Sequence, residues 1–331
     1  MKRFGKYFGL TTVVLAFAYV GTYYATYPKF TYTPETLKYS NFADFYKARL
    51  ERSKAKNVRE DNEERLVRRS KGKSEYAILY IHGFGASRKE GEEVVDAVSE
   101  KWNANTYYLL LPGHGVSIED HRDTPYTEYI QEVEETFQAM SLLGDKIIVV
   151  GTSMGGLLST YLASKYSDKI YALILASPYY DFDDPSGRLF FYPLGSSFVR
   201  TLLGEIRTSA KPKSKMEEES YKYWLKGQYY QSLENLGNLK KLLAKEEIYT
   251  TVTCPTLLLY YYKNETEKDK AASVPEMLKA FDTFGKATTP NPKNRKVAIE
   301  RGNHILLSKY VETDREMAKQ EILNFLDSLK K

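Results

Sequence analysis

Apolar positions along the chain follow two alternating rhythms. Short, nearly continuous runs rich in Ile, Leu, Val and Tyr lie at 76–81, 106–111, 147–150, 170–176, 256–262 and 295–299, and they read as strands, that at 256–262 as a buried one. Between them, segments near 88–101, 125–143, 154–166, 275–285 and 311–329 space their apolar residues at helical intervals. Strand and helix alternating in this way predict an α/β fold with one doubly wound, mostly parallel sheet. The rhythm breaks once. After the strand ending at 176 the next begins only near Val252, and the interval holds helical patterning over Glu217 to Leu225 and Leu233 to Leu243. A structureless connection of that length is exceptional inside a compact domain, so an inserted helical cap is expected at about 183–250.

The N-terminal segment follows neither rhythm. Met1 to Lys6 is basic, Leu10 to Tyr24 is uncharged, and Tyr19, Tyr23, Tyr24 and Tyr27 gather before Pro28. Residues 1–30 are therefore expected to be a membrane anchor or a signal segment, although the apolar core is shorter than the roughly 20 residues of a comfortable span. An anchor would hold Lys2, Arg3 and Lys6 on the cytoplasmic side and the rest of the chain outside. Cleavage would give a secreted or periplasmic protein, and a cytoplasmic protein is the remaining alternative. Residues 31–63 follow as a charged helical connector whose mixed signs suit solvation. Residues 64–331 form the folded domain with its cap.

Composition removes several classes. Of the 331 residues 42% are hydrophobic, ample for a core, and the net charge of +5 is not concentrated in a basic patch with interleaved aromatics, so nucleic acid is not an expected partner. The single Cys254 cannot form an internal disulfide, and its place before Pro255 suits a small buried residue. The sequence contains neither a metal-ligand cluster nor a phosphate-cradling glycine run, so no cofactor or metal is expected.

Candidate chemistry centres on Gly151-Thr-Ser-Met-Gly-Gly156, which follows the β-branched run Ile147 to Val150 and precedes Leu157, Leu158, Tyr161 and Leu162 at helical spacing. A G-x-S-x-G elbow between strand and helix holds its serine in a strained turn that exposes the hydroxyl. Ser153 is thus the candidate nucleophile. In this architecture the acid and then the histidine follow the serine. Of His82, His114, His121 and His304, only His304 lies beyond Ser153, on a loop after the strand at 295–299. The acid is sought in the loop after the strand at 256–262. Asp269 is preferred because it precedes a small, apolar stretch, while Glu265 and Glu267 sit in a charged run; Asp181 and Asp183 after an earlier strand are further alternatives. Donors for a developing oxyanion are assigned to the backbone N–H groups of Phe84, in His82-Gly-Phe-Gly85, and Met154. His82 reads as a loop-orienting residue. Aromatics of the cap, including Phe190, Phe191, Tyr192, Phe198, Tyr221, Tyr223, Trp224, Tyr229 and Tyr230, suit an acyl pocket or ordinary packing, and none is singled out.

With HGFG at 82–85, LPGHG at 111–115, GTSMGG at 151–156, the loop bearing Asp269 and GNH at 302–304, the chain from about 64 to 330 resembles the α/β-hydrolase superfamily, particularly bacterial carboxylesterases and monoacylglycerol-lipase-like enzymes. The resemblance implies an α/β-hydrolase fold and cleavage of a small-molecule ester or lipid through an acyl-enzyme. It also implies a scaffolding role for His114. Two departures stand out: the acid loop is several residues longer than usual, and Ala271-Ala272 replaces larger aliphatics, which predicts looser packing beneath it. A thioesterase, amidase or acyltransferase would use the same residues, and a membrane-tethered binding protein without turnover is the alternative of a different class.

Overall fold

A computed structural model of the chain describes residues 2–33, 37–208, 211–212 and 214–330. Its strands are β1 (Arg65–Val67), β2 (Ser74–Ile81), β3 (Asn105–Leu109), β4 (Gly144–Thr152), β5 (Ile170–Ala176), β6 (Ile206–Thr208), β7 (Gly227–Tyr229), β8 (Thr256–Tyr261) and β9 (Arg295–Ile299). Seven of them form one sheet in the order β1-β3-β2-β4-β5-β8-β9, with every pairing parallel except β1 against β3. The helices are α1 (Lys2–Ala25), α2 (Phe42–Ala55), α3 (Glu92–Lys101), α4 (Ile118–Asp123), α5 (Tyr126–Met140), α6 (Met154–Tyr166), α7 (Gly195–Leu203), α8 (Lys215–Ser220), α9 (Ser232–Leu243), α10 (Glu246–Tyr249), α11 (Val274–Phe281) and α12 (Arg315–Leu329).

The continuous apolar runs arise because both sheet faces are covered. In β2, Ala77, Leu79 and Ile81 point into a core closed by α5, α6 and α11, while Ile78 and Tyr80 point into a second core closed by α3 and α12. The same division runs through β4, with Ile147 and Val149 on one face and Ile148 and Val150 on the other. Helix α5 supplies its share through Tyr129, Val133 and Phe137, which recur every fourth residue. Strands β3 and β4 flank β2 on opposite sides, so the winding of the chain reverses there. The carboxyl ends of β2 and β4 border the crevice that such a reversal opens, where open α/β sheets bind their ligands.

Three regions differ from expectation. The stretch expected as a solvated connector is packed onto the domain: Phe42 and Phe45 of α2 are buried against Tyr107, with ring centroids 5.2 and 5.8 Å away. Its charges are partnered across the fold, with Arg49 and Arg52 pairing to Glu132 at 3.2 and 2.5 Å. Mixed charge here marks ion pairs with α5 rather than a solvated face. The cap is not purely helical, since β6 and β7 pair antiparallel within it. Finally, α1 does not answer the expectation of a spanning helix. Among the described residues no helix is long and apolar enough to cross a membrane. Gly9, Thr11, Thr12, Gly21 and Thr22 and the distal tyrosines dilute its uncharged run.

Candidate active site

The elbow serine sits where β4 gives way to α6. Ser153 has φ +53° and ψ −119°, a strained conformation for a residue with a side chain. The turn is held because the Ser153 N–H donates to Ala176 O at 3.1 Å and the Ser153 carbonyl accepts from Tyr179 N at 2.9 Å. Both flanking glycines are required by space: a Cβ at Gly155 would run into the Ile81 carbonyl, and one at Gly151 into the Ser159 hydroxyl.

His304 lies on the loop after β9. Its Nε2 is 2.8 Å from Ser153 Oγ and its Nδ1 is 2.7 Å from Asp269 Oδ2. Asp269 is fully buried, and its other oxygen, Oδ1, accepts from the amides of Ala271 at 2.9 Å and Ala272 at 3.0 Å. The extra residues of the acid loop do not displace it. Residues 263–268 make a small excursion that closes through a Tyr262–Lys268 bridge, after which the Asp269 N–H donates to Tyr261 O at 3.1 Å. Glu265 and Glu267 stay on the outside of that excursion, paired with Lys268 and Lys263 at 2.9 Å each. Asp181 instead pairs with Arg188 at 3.2 Å, and Asp183 lies 3.8 Å from Lys268. Ala272 is fully buried and bridges to Phe182, so the small residues bring backbone close to the carboxylate rather than leaving the loop loose.

Electrostatics tighten this constellation. Burial pushes the Asp269 pKa up, but the adjacent His304 charge, its hydrogen bond and the two amides outweigh burial and hold it below the usual value. Burial pushes His304 down, yet the charge and hydrogen bond of Asp269, with a smaller contribution from Glu90, leave its pKa above 6.5.

The loop after β2 lies against the serine, since a Cβ at Gly83 would come within 3.2 Å of Ser153 Cβ. Its amides on either side of Phe84 are tied back: Gly83 N–H donates to Glu90 Oε2 at 2.7 Å and Gly85 N–H to His114 Nε2 at 2.9 Å. Among the described residues, neither the Phe84 nor the Met154 N–H is hydrogen-bonded to a protein acceptor. His82 accepts from Leu111 N at 3.1 Å, and His114 Nδ1 donates to Pro112 O at 2.8 Å, so both imidazoles tie the HGFG and LPGHG loops together. Burial drives both pKa values down, that of His114 to about 4, which keeps them neutral and able to accept. His121 completes the stack, 4.7 Å from His114 and 4.4 Å from the Phe84 ring.

Glu90 is a site-edge residue that the sequence did not reveal. Its run Arg88-Lys-Glu-Gly-Glu-Glu93 looks like a solvated turn, but the Glu90 side chain is buried between Gly83 N–H and the Tyr80 hydroxyl, 3.3 Å away. Burial pushes its carboxyl up to about 7 against the lowering effects of Gly83, His304 and Tyr80. A Glu seven residues after an HG-turn glycine is the only signal the sequence carried.

A cavity of about 260 Å³ opens beside the site, lined by Gly85, Arg207, Trp224, Gln228, Ile305 and Tyr310 among others. The cap is fastened to the loop here, with Leu225 N–H donating to Gly85 O at 2.9 Å. Of the nine cap aromatics named from the sequence, Tyr221 and Trp224 line this cavity. Phe191 stacks on Phe182 and Phe190 on Tyr230, while Tyr192 and Phe198 face outward.

The model of the alpha/beta hydrolase fold matches residues 76–229. The chain has the α/β-hydrolase fold. Among solved structures it is similar to the metagenome-derived lipolytic enzymes LipS and LipT, with a TM-score of 0.65 at 15% identity over 82% of this chain and 99% of that one. It is likewise similar to a monoacylglycerol lipase of Paleococcus ferrophilus, with a TM-score of 0.57 at 14% identity, covering 80% of this chain and 98% of the other. At these identities the likeness shows the fold. By sequence it is 31% identical over 94 residues to a thermostable monoacylglycerol lipase of a Bacillus species, covering 28% of this chain and 36% of that protein. It is 27% identical over 136 residues to a pimeloyl-[acyl-carrier protein] methyl ester esterase of Neisseria meningitidis, covering 40% and 38% respectively. The chain thus spans well under half the length of these relatives.

Proposed function

We propose that this hydrolase is a serine esterase that cleaves carboxylic esters of small molecules or lipids through an acyl-enzyme. The observation that carries the reading is the continuous chain Ser153 Oγ, His304, Asp269, with 2.8 and 2.7 Å links, beside a loop whose Phe84 amide is set between two anchored neighbours. Ser153 attacks the ester carbonyl while His304 Nε2 takes its proton. Asp269 fixes the Nδ1–H tautomer and stabilises the imidazolium. The Phe84 and Met154 amides receive the negative charge on the carbonyl oxygen. His304 then returns its proton to the leaving alkoxide, and a water activated by the same imidazole releases the acid. A series of nitrophenyl esters of increasing acyl length, run beside monoacylglycerols, tests the reading. Turnover that peaks at one chain length supports it, and absence of turnover on every ester rejects it.

Glu90 enters this mechanism as a positioning residue. It holds Gly83, and so the direction of the neighbouring Phe84 N–H, while its charge raises the pKa of His304. The acid limb of kcat/KM reports His304 losing its basic form, and because the Glu90 carboxylate favours protonation, Glu90→Gln should move that limb to lower pH. The amide still accepts from Gly83, so the expected fall in kcat is only about tenfold, less than the 10² to 10³ typical of a lost oxyanion donor. An unmoved limb in a pH–rate profile would exclude the electrostatic role.

A further inference from the structure

Two groups of exposed apolar residues, on α1 and on α7, are joined through Tyr23 and Tyr192. The chain is uncharged from Phe8 to Pro28, and α1 covers this run as far as Ala25. Its Leu10, Leu15 and Phe17 are exposed, Phe17 by 74%, and they point in different directions around the axis. The distal end of α1 is seated on the cap: the Tyr27 hydroxyl donates to Lys241 O at 3.1 Å, the Lys241 ammonium lies 4.9 Å over the Tyr23 ring, and Tyr23 meets Tyr192 at 6.0 Å. Beyond Tyr192, α7 is turned inside out. Ser196 and Val199 face the protein, while Leu194, Phe198 and Leu202 form a stripe every fourth residue that faces outward, Leu194 exposed by 72% and Leu202 by 64%. Leu203 and Ile206 extend it.

A surface of this extent on a soluble protein marks an interaction site. Its charge indicates the partner. The sequence puts Lys2, Arg3 and Lys6 at one end, and from residue 200 to 215 it carries Arg200, Arg207, Lys211, Lys213 and Lys215 against the single acid Glu205. Apolar residues on all sides of an uncharged helix do not make the single stripe that pairing with another helix requires. Among the described residues no helix is apolar enough to span a bilayer. The one-sided stripe of α7, with cations close to it in the sequence, has the pattern of a helix that lies in the boundary between headgroups and acyl chains, and α1 adds exposed apolar residues beside it. We infer that α1 and the outward stripe of α7, joined at Tyr23 and Tyr192, form one face that docks on an anionic phospholipid surface without crossing it. The same edge of the cap carries Arg207, which lines the cavity beside the candidate site, so the docked face borders that cavity.

Flotation of the full-length chain with phosphatidylcholine vesicles, and with vesicles in which part of the lipid is phosphatidylglycerol, tests this without using turnover. The protein should float with the anionic vesicles, and more weakly with the neutral ones. Removing two exposed apolar anchors in Phe198→Ser/Leu202→Ser should weaken binding by about tenfold or more, as should Leu15→Ser/Phe17→Ser. These positions face outward, so unchanged circular dichroism and thermal unfolding accompany the loss. Wild-type protein that stays off both vesicle types, or double variants that float as well as wild type, would overturn the inference. So would a lipid-free dimer in sedimentation equilibrium that Phe198→Ser/Leu202→Ser converts to monomer, because the face would then belong to a second copy. Equal binding to both vesicle types would remove the role of the cations. Flotation without ester turnover would leave the docking intact and reject the esterase reading, so the two failures are distinguishable.

Discussion

Ser153→Ala should abolish ester turnover, lowering kcat on the order of 10⁴ to 10⁶ while leaving KM and the fold nearly unchanged. The elbow is built from backbone contacts: Ser153 N–H to Ala176 O and Ser153 O to Tyr179 N survive the loss of a hydroxyl, and Cβ is retained. The positive φ of 53° is borne by alanine much as by serine, so thermal unfolding should shift little. What disappears is the atom 2.8 Å from His304 Nε2, and with it the acyl-enzyme route. Residual rate, if any, then reflects oxyanion donors and a water, a contribution of about 10³ to 10⁴ over the uncatalysed reaction in other triads. An organophosphonate should attach to Ser153 in the wild type and to nothing in Ser153→Ala. Labelling of another serine, or an alanine variant that keeps substantial turnover, would remove the proposed mechanism.

Legibility in the sequence tracked burial on both sides. Strand β5 lies over the residues expected, 170–176, because a parallel strand covered on two faces must be apolar throughout. Helix α6 likewise runs over 154–166, fixed by the elbow before it. The short strands β1, β6 and β7 carried no signal, being three residues each and only partly buried or exposed. Helix α2 was visible as a helix but its docking was hidden, because the partners of Arg49 and Arg52 lie about eighty positions away in α5 and cannot be paired from spacing. Ser153 and His304 were legible because chain order leaves one histidine after the elbow. Glu90 was not, since its burial depends on a loop folding back across β2. Absence of charge and high hydropathy part company in α1, where threonine, glycine and tyrosine are uncharged but only weakly apolar.

The acid separates geometry from chemistry most sharply. Asp269→Asn should lower kcat by about 10² to 10⁴, because the amide can present N–H to His304 Nδ1 and so favour the tautomer whose Nε2 carries the proton and cannot accept from Ser153. The variant keeps an oxygen for the Ala271 and Ala272 amides, so the loop should hold its shape and any stability change should be small beside the kinetic one. The wild-type carboxylate, held below its usual pKa by His304 and those amides, also raises the pKa of the imidazole. Loss of that charge should move the acid limb of kcat/KM to lower pH, the same direction as in Glu90→Gln but by more, since Asp269 is in contact with the ring and the larger of the two influences. Glu265→Gln and Glu267→Gln provide the contrast. Their carboxylates are exposed and paired with Lys268 and Lys263, and exposed pairs of this kind contribute at most about 1 kcal/mol, so both variants should retain wild-type kcat. Steady-state kinetics of the three variants therefore discriminates sharply: if Glu265→Gln is the crippled enzyme and Asp269→Asn is not, the acid of the proposed triad is wrong although Ser153 and His304 stand.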